Sequence, residues 1–145
     1  MERLGFLLAR HGAITNVRIR EALSLTGLST RHGMTLMHLA SDGPLSQQAL
    51  IEALGVDPSV IVGLLNDLER DGLARRDRDP GDRRRHIVQI TDAGRQAVGT
   101  VEQALNTVES ELFADLSPAE VAQLHAMLAR IRTSTDDPAC QAAAE

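Results

Sequence analysis

Residues 68–94, LERDGLARRDRDPGDRRRHIVQITDAG, limit the fold of this chain more than any other segment. Gly72 is placed to end a helix, because glycine readily takes the left-handed conformation found just after helices. Residues 79–82, Asp-Pro-Gly-Asp, have the composition of a tight turn. Residues 84–90 show the two-residue alternation of a strand, and Thr91 is suited to cap a following helix. The segment therefore predicts a β-hairpin between two helices.

The tip of this hairpin carries a high density of positive charge. Residues 75–86 contain six arginines and three aspartates, a balance of +3 in a chain whose net charge is −5. The negative charge lies elsewhere, since residues 96–145 hold two arginines against eight acids. An ordinary interpretation is a solvated loop whose arginines pair with their own aspartates. Because two short helices precede the hairpin, the alternative is a wing that enters the minor groove of DNA or lies along its phosphates.

Those two short helices have the spacing of a helix-turn-helix. Ser46 is suited to cap the first helix, and Gly55 is placed to close it. Asp57 is suited to cap the second helix, with Pro58 in its first turn, where a missing N–H costs little. The second helix has an apolar stripe at helical spacing, formed by Val60, Ile61, Leu64, Leu65 and Leu68.

Longer helices are predicted on both sides of this unit. One covers residues 3–26, another residues 92–113, and a last one follows a capping box at Ser117 and ends by about Thr133. The predicted apolar faces are Leu4, Leu7, Leu8, Ile14 and Val17 in the first helix, and Ala97, Val101, Leu105, Val108 and Leu112 in the second. A helix that begins after Ser29 or Thr30 and ends at Asp42 is predicted to direct Met34, Met37, Leu36 and Ala40 inward.

The composition favours packed helices and a reducing environment. The only aromatic residues among 145 are Phe6 and Phe113, so the core must be built from aliphatic side chains. Cys140 is the single cysteine and can form no internal disulfide, which together with the absence of a signal peptide or membrane span predicts a cytoplasmic protein. The apolar faces of the long helices exceed what a small winged helix needs, so we expect a second copy of the chain to cover them.

The pattern as a whole resembles the MarR (multiple antibiotic resistance regulator) family. Its most specific part comprises Leu68, Gly72, Leu73, Arg76, Asp79, Pro80, Asp82, Arg83, Arg84, Val88, Thr91 and Gly94, and residues 43–47 add a second, weaker match. The resemblance implies a mainly α fold with a small β-hairpin, that is, a winged helix-turn-helix with long N- and C-terminal dimerisation helices. It also implies a homodimeric repressor of palindromic operators that a phenolic or other anionic small molecule releases. We expect one domain over residues 1–145, with the winged unit at about 30–95, dimerisation helices at 1–27 and 92–133, and a flexible tail at 134–145.

The resemblance also assigns the DNA-binding parts. Residues 57–68 match the recognition helix and residues 73–90 the wing, with Asp79 as the acid that braces the wing-tip arginine. The predicted DNA-binding residues are Ser46, Gln47, Ser59, Val62, Gly63, Asn66, Arg76, Arg78, Arg83, Arg84 and Arg85. Pro58, Val62 and Gly63 depart from the polar residues that many relatives carry there, which puts the major-groove contacts in question.

Other functions remain open at this point. By resemblance, His11, Arg18, Met34 and His38 are predicted to line an effector pocket, although each is also an ordinary packing or surface residue. Redox control through Cys140 is an alternative, but its neighbours are acidic rather than electropositive. A winged helix that binds only protein is another, since the second helix has few polar groups. The chain has no enzyme or cofactor motif, and its five histidines lack the spacing of metal ligands. We therefore predict neither an enzyme nor a cofactor or metal site.

Overall fold

The computed structural model describes residues 3–131, which form six α-helices and one small antiparallel sheet. In chain order the elements are α1 (Leu4–Ser24), α2 (Thr30–Asp42), β1 (Leu45–Ser46), α3 (Gln47–Leu54), α4 (Pro58–Arg70), β2 (Ala74–Arg78), β3 (His86–Ile90), α5 (Asp92–Leu112) and α6 (Pro118–Leu128). The predicted mainly α fold with a winged helix-turn-helix is confirmed. Cys140 and the predicted tail at 134–145 lie outside the described residues.

The sheet has three strands, one more than the hairpin that was predicted. Their order is β1-β3-β2, with Arg76 of β2 and Leu45 of β1 both opposite Val88 of β3. Strand β1 contains only two residues, too few to show the alternation by which a strand is recognised in sequence. It connects the start of α3 to the root of the wing.

The helix boundaries follow local capping chemistry. Side chains of Ser29, Ser46, Asp57, Thr91 and Ser117 each accept a hydrogen bond from a backbone N–H in the first turn of the helix they precede. Ser117 and Glu120 form the predicted capping box. Gly55 and Gly72 have φ of 60° and 70°, as expected for glycines that follow helices. The last helix is an exception, because α6 ends at Leu128 rather than near Thr133.

The core is aliphatic and centres on α2 and α4. Its fully buried side chains include Leu36, Leu39, Leu50, Ile61, Leu65, Leu68, Val88 and Val101. Leu36, Met37 and Ala40 of α2 face the core as predicted. The prediction was wrong for Met34, which is 44 % exposed, and it missed Leu39, which is fully buried. Thr35 is also buried, and its hydroxyl is satisfied because it donates to the carbonyl of Arg31. In α5, Val98 is buried beside the predicted Val101 and Val108.

The outer helices leave most of their apolar side chains exposed. Within the described residues, α1 buries only Leu23 and α6 buries none. Phe6 is 69 % exposed and Met127 is 51 % exposed. Aliphatic side chains along the rest of α1 and α6 share this exposure, namely Leu4, Leu8, Ile14, Val17, Leu128 and, just beyond α6, Ile131.

No single helix between residues 3 and 131 is long and apolar enough to span a membrane. Helices α3 and α4 meet the length and composition criteria only when taken together, and they are bent by 111° at the turn between them.

Candidate nucleic-acid interface

Helix α4 presents one face to the core and the opposite face to solvent. Ile61, Leu64, Leu65 and Leu68 are buried, and they hold the helix against the rest of the fold. On the outer face, Ser59, Val62, Gly63 and Asn66 are exposed at the spacing i, i+3, i+4, i+7. We call these four residues the α4 stripe. The structure thus brings all the candidate DNA-binding residues of this helix onto one accessible surface.

The N-terminus of α4 is fixed by its cap. Oδ1 of Asp57 accepts hydrogen bonds from the Ser59 hydroxyl at 2.6 Å and from the Ser59 backbone N at 2.8 Å. These two bonds stabilise the carboxylate and lower the pKa of Asp57. Ser46, which was predicted to contact DNA, caps α3 in the same way by accepting from Ala49 N at 3.1 Å. Gln47 is half-buried at the first position of α3.

The wing keeps part of its positive charge. Nε of Arg75 lies 3.0 Å from Oδ2 of Asp77, and Nε of Arg85 lies 3.6 Å from Oδ2 of Asp82. Arg78, Arg83 and Arg84 have no carboxylate within ion-pair distance among residues 3–131. The exposed pair Arg83 and Arg84 sits at the tip, where the backbone N of Arg84 donates to Asp82 at 3.0 Å. The tip therefore offers unpaired guanidinium groups to an anionic partner.

Asp79 braces the wing through hydrogen bonds of its side chain and its backbone to other backbone groups. Its Oδ1 accepts from Gly81 N at 2.8 Å, and its own N–H donates to the carbonyl of Arg85 at 2.9 Å. These two hydrogen bonds stabilise the turn itself. Within residues 3–131, the Asp79 carboxylate contacts no arginine side chain, although the resemblance implied that it would. The carboxylate that pairs with a tip arginine is that of Asp82.

Arg76 binds the wing to α4 rather than projecting from it. Its Nη2 donates to Oδ1 of Asn66 at 2.5 Å, and its backbone N donates to Oε1 of Glu69 at 2.9 Å. Its Nε lies 3.4 Å from Oε2 of Glu69 without hydrogen-bond geometry. The side chain of Arg76 is only 24 % exposed, so its guanidinium group is used in contacts within the protein. Sequence reasoning missed Glu69, because only the packing of α4 against β2 brings it to Arg76.

Comparison with known proteins agrees with this architecture. Residues 26–85 match the MarR family. A curated relative from Thauera aromatica, described as a putative transcriptional regulatory protein for the hcr operon, is 39 % identical over 119 residues, which are 77 % of this chain and 72 % of the relative. The chain belongs to the MarR family. It is a DNA-binding transcriptional regulator and not an enzyme, as the sequence predicted.

Two solved MarR-type structures are also similar. A MarR-family regulator from Rhodococcus sp. RHA1 is 29 % identical, has a TM-score of 0.78, and matches over 88 % of this chain and 94 % of its own. CouR from Rhodococcus jostii RHA1, solved with p-coumaroyl-CoA bound, is 28 % identical, has a TM-score of 0.77, and matches over 92 % of this chain and 96 % of its own.

The predicted effector residues of this MarR-family chain do not come together in one cavity. Met34 and His38 line a cavity of about 430 Å³ between α2 and α5. Arg18 instead lines a groove of about 870 Å³ between α1 and α5, where its Nη1 lies 4.0 Å from Oε2 of Glu111. His11 is exposed and lines neither of the two. Only two of the four predicted residues therefore share a site.

The cavity between α2 and α5 combines apolar walls with a polar rim. Its remaining lining residues are Met37, Ala40, Ser41, Val98 and Glu102. On the rim, Oδ1 of Asp42 accepts from the Ser41 hydroxyl at 2.8 Å, and Nδ1 of His38 lies 3.4 Å from Oδ2 of Asp42. The Ser41 hydrogen bond and the contact with His38 lower the pKa of Asp42, so a negative charge is held beside the cavity.

Proposed function

We propose that this MarR-family regulator is a homodimeric repressor that binds a palindromic operator and is released by a small molecule. The α4 stripe would lie in the major groove, while Arg83 and Arg84 reach the minor groove or the phosphates beside it. This proposal rests on the hydrogen bonds that Arg76 of the wing makes to Asn66 and Glu69 of α4. They join the exposed α4 stripe and the unpaired wing-tip arginines into one unit.

The exposed apolar faces of α1 and α6 support a dimer. Large apolar side chains such as Phe6 and Met127 are rarely left in contact with water over a whole helix face. A second copy related by two-fold symmetry would cover both faces at once. The two copies of α4 would then be able to reach successive major-groove turns, which are about 34–36 Å apart.

Charges placed in this face are expected to separate the dimer. Phe6→Glu combined with Met127→Glu puts two uncompensated carboxylates per protomer into the proposed interface, which should weaken association by at least about a hundredfold. Sedimentation velocity should show monomers, and DNA affinity should fall with them. Far-UV circular dichroism should stay unchanged, because both side chains are exposed in the protomer. Val62→Glu, on the α4 stripe, is the matched control and should remain dimeric. A double variant that still sediments as the wild type does would exclude these faces.

The proposed effector site is the cavity between α2 and α5. CouR, the relative solved with p-coumaroyl-CoA bound, supports a ligand with an aromatic group, which would contact the apolar side chains of Met34, Met37 and Val98. The negative charges of Glu102 and Asp42 would keep an anionic part of the ligand outside this cavity. An effector that binds more tightly to a dimer with wrongly spaced α4 helices would shift the population away from the DNA-competent form. The effector and the operator must then weaken each other by the same factor.

That reciprocity is measurable with p-coumaroyl-CoA as the probe. We expect isothermal titration calorimetry to give a larger dissociation constant for the probe when operator DNA is saturating than when DNA is absent. The ratio of the two constants should equal the factor by which the probe weakens operator binding. If the probe releases DNA while its own affinity is the same with and without DNA, a shared conformational equilibrium is ruled out.

A winged helix that binds protein is the second candidate, because the α4 stripe has few polar groups. Sequence preference and salt dependence together separate the two candidates. Fluorescence anisotropy with duplex DNA from the protein's own upstream region should show specific binding whose log K falls steeply with log salt concentration. Equal, weak affinity for that duplex and for a scrambled one would favour the protein-binding candidate. Redox control through Cys140 concerns residues outside those described.

A further inference from the structure

The α4 stripe offers base edges few hydrogen-bonding groups, and two of these are already engaged. The Ser59 hydroxyl donates its hydrogen to Asp57, which leaves only its oxygen lone pairs for a further partner. The amide oxygen of Asn66 accepts from Arg76, which leaves the amide N–H groups of Asn66 free to donate. The stripe therefore has one acceptor near its start, one donor group near its end, and no polar side chain between them.

The middle of the stripe is apolar and unobstructed. Val62 is 43 % exposed, although valine is usually buried. Gly63, next to it, has no side chain, and a Cβ built there meets no atom within 4 Å. The Val62 methyl groups therefore project from the surface beside Gly63, where the helix backbone is not covered by a side chain. A surface of this kind gains nothing from a hydrogen-bonding base edge, but it gains from burial of another apolar group.

Thymine is the only DNA base that presents an apolar group in the major groove, its C5 methyl. We propose that Val62 recognises a thymine C5 methyl group in each half-site of the operator, and that Gly63 allows α4 to approach closely enough for this contact. This inference rests on the proposed function, because it requires α4 to lie in the major groove. Sequence specificity at the centre of each half-site then comes from methyl burial.

Arg76 orients the Asn66 side chain at the end of the stripe. By holding the amide oxygen of Asn66, it fixes which end of that side chain faces the groove. The N–H groups of Asn66 are then directed toward acceptors on the base edges, such as thymine O4 or purine N7. The α4 stripe thus selects a base with a hydrogen-bond acceptor opposite Asn66 and a thymine methyl group opposite Val62.

Replacing thymine with deoxyuridine tests the proposal, because it removes the methyl group and leaves base pairing intact. An operator found by footprinting is synthesised with one symmetric pair of thymines replaced at a time. We expect one such pair to weaken binding about fourfold for each half-site, hence about sixteenfold for the dimer, because one buried methyl group is removed from each half-site. Replacement of thymines outside the footprint is the matched control and should have no effect.

The Val62→Ala variant assigns the effect to its residue. It should bind the thymine operator more weakly than the wild type does, and the penalty for deoxyuridine at the sensitive position should largely disappear. Because Val62 is exposed, the melting temperature should not fall appreciably. Gly63→Ala should likewise fold normally, since its new Cβ has open space, yet bind the operator less tightly.

The outcomes distinguish this inference from the function on which it rests. No specific binding of the wild type to any candidate operator would reject the proposed function itself. Specific binding that no deoxyuridine replacement weakens would overturn the methyl readout alone. So would a deoxyuridine penalty that is the same in Val62→Ala as in the wild type.

Discussion

Arg83→Ala combined with Arg84→Ala is expected to lower operator affinity on the order of tenfold for each arginine–phosphate hydrogen bond that is removed. The two guanidinium groups lie at the exposed tip of the wing, and neither has a carboxylate partner in the described part of the chain. Each arginine that binds a DNA phosphate releases about one counterion, so each substitution to alanine flattens the salt dependence. The slope of log K against log salt concentration should therefore decrease by about two units per protomer. Anisotropy titrations at five or six salt concentrations measure this slope.

A control of equal charge separates direct binding from general attraction. Arg20→Ala combined with Arg130→Ala removes the same charge from exposed positions in α1 and just after α6. Because these helices belong to the proposed dimer interface, sedimentation velocity must first show that this control is still a dimer. If the wing contacts DNA directly, this control should reduce the slope far less than the tip variant does. Equal slopes for the two variants would show that the wing contributes only to net charge, and would remove it from the binding mechanism.

The parts of the fold that were predicted from sequence are those decided by neighbouring residues. Asp57 and Pro58 start α4, and Gly72 ends the turn after it, because caps and left-handed conformations depend on the local chain. The hairpin at β2 and β3 was predicted for the same reason, since its turn residues are followed by a short run of alternating side chains. Family resemblance then supplied the way in which these pieces assemble.

The parts that were missed depend on contacts between distant residues. The inward face of α2 is one example, because Met34 was predicted to be buried and Leu39 was not, and only tertiary packing decides which of two apolar side chains is covered. The role of Arg76 is another, because its partners Asn66 and Glu69 are seven or more positions away and belong to another element. An arginine that binds DNA and one that binds the protein itself look the same in sequence.

The predicted DNA-binding arginines and the predicted effector residues differ in the same way, because only the former depend on local structure. Arg83 and Arg84 project from a turn, so their exposure follows from local structure and was predicted. The proposed effector residues lie on different helices, and whether they meet depends on how α1, α2 and α5 pack. Met34 and His38 share a cavity, whereas Arg18 faces another groove.

The close packing of α5 against the root of the wing makes Gly94 the most sensitive glycine of those described. A Cβ built at Gly94 would lie 2.1 Å from the carbonyl oxygen of Leu73 and 2.6 Å from Cγ1 of Ile90. Its backbone N also donates to the Thr91 hydroxyl at 3.0 Å, and that hydroxyl donates to the carbonyl of Gly72 at 2.7 Å. The start of α5 is thus bonded to the backbone between α4 and β2, and it has no room to move away.

Gly94→Ala is therefore expected to destabilise the protein by about 3 kcal/mol, because a backbone carbonyl cannot rotate aside as a flexible side chain can. For a chain of this length that corresponds to a fall in Tm of about 10 °C in a thermal unfolding scan. Gly99→Ala is the matched control, since it lies in the same helix and its Cβ would meet no atom within 4 Å. It should instead raise stability by about 0.5–1 kcal/mol, through lower entropy of the unfolded chain. Equal Tm values for the two variants would mean that α5 is not seated on the Leu73 carbonyl. The pattern by which the chain resembles its family includes Gly94, and this close approach is a physical reason for a glycine there.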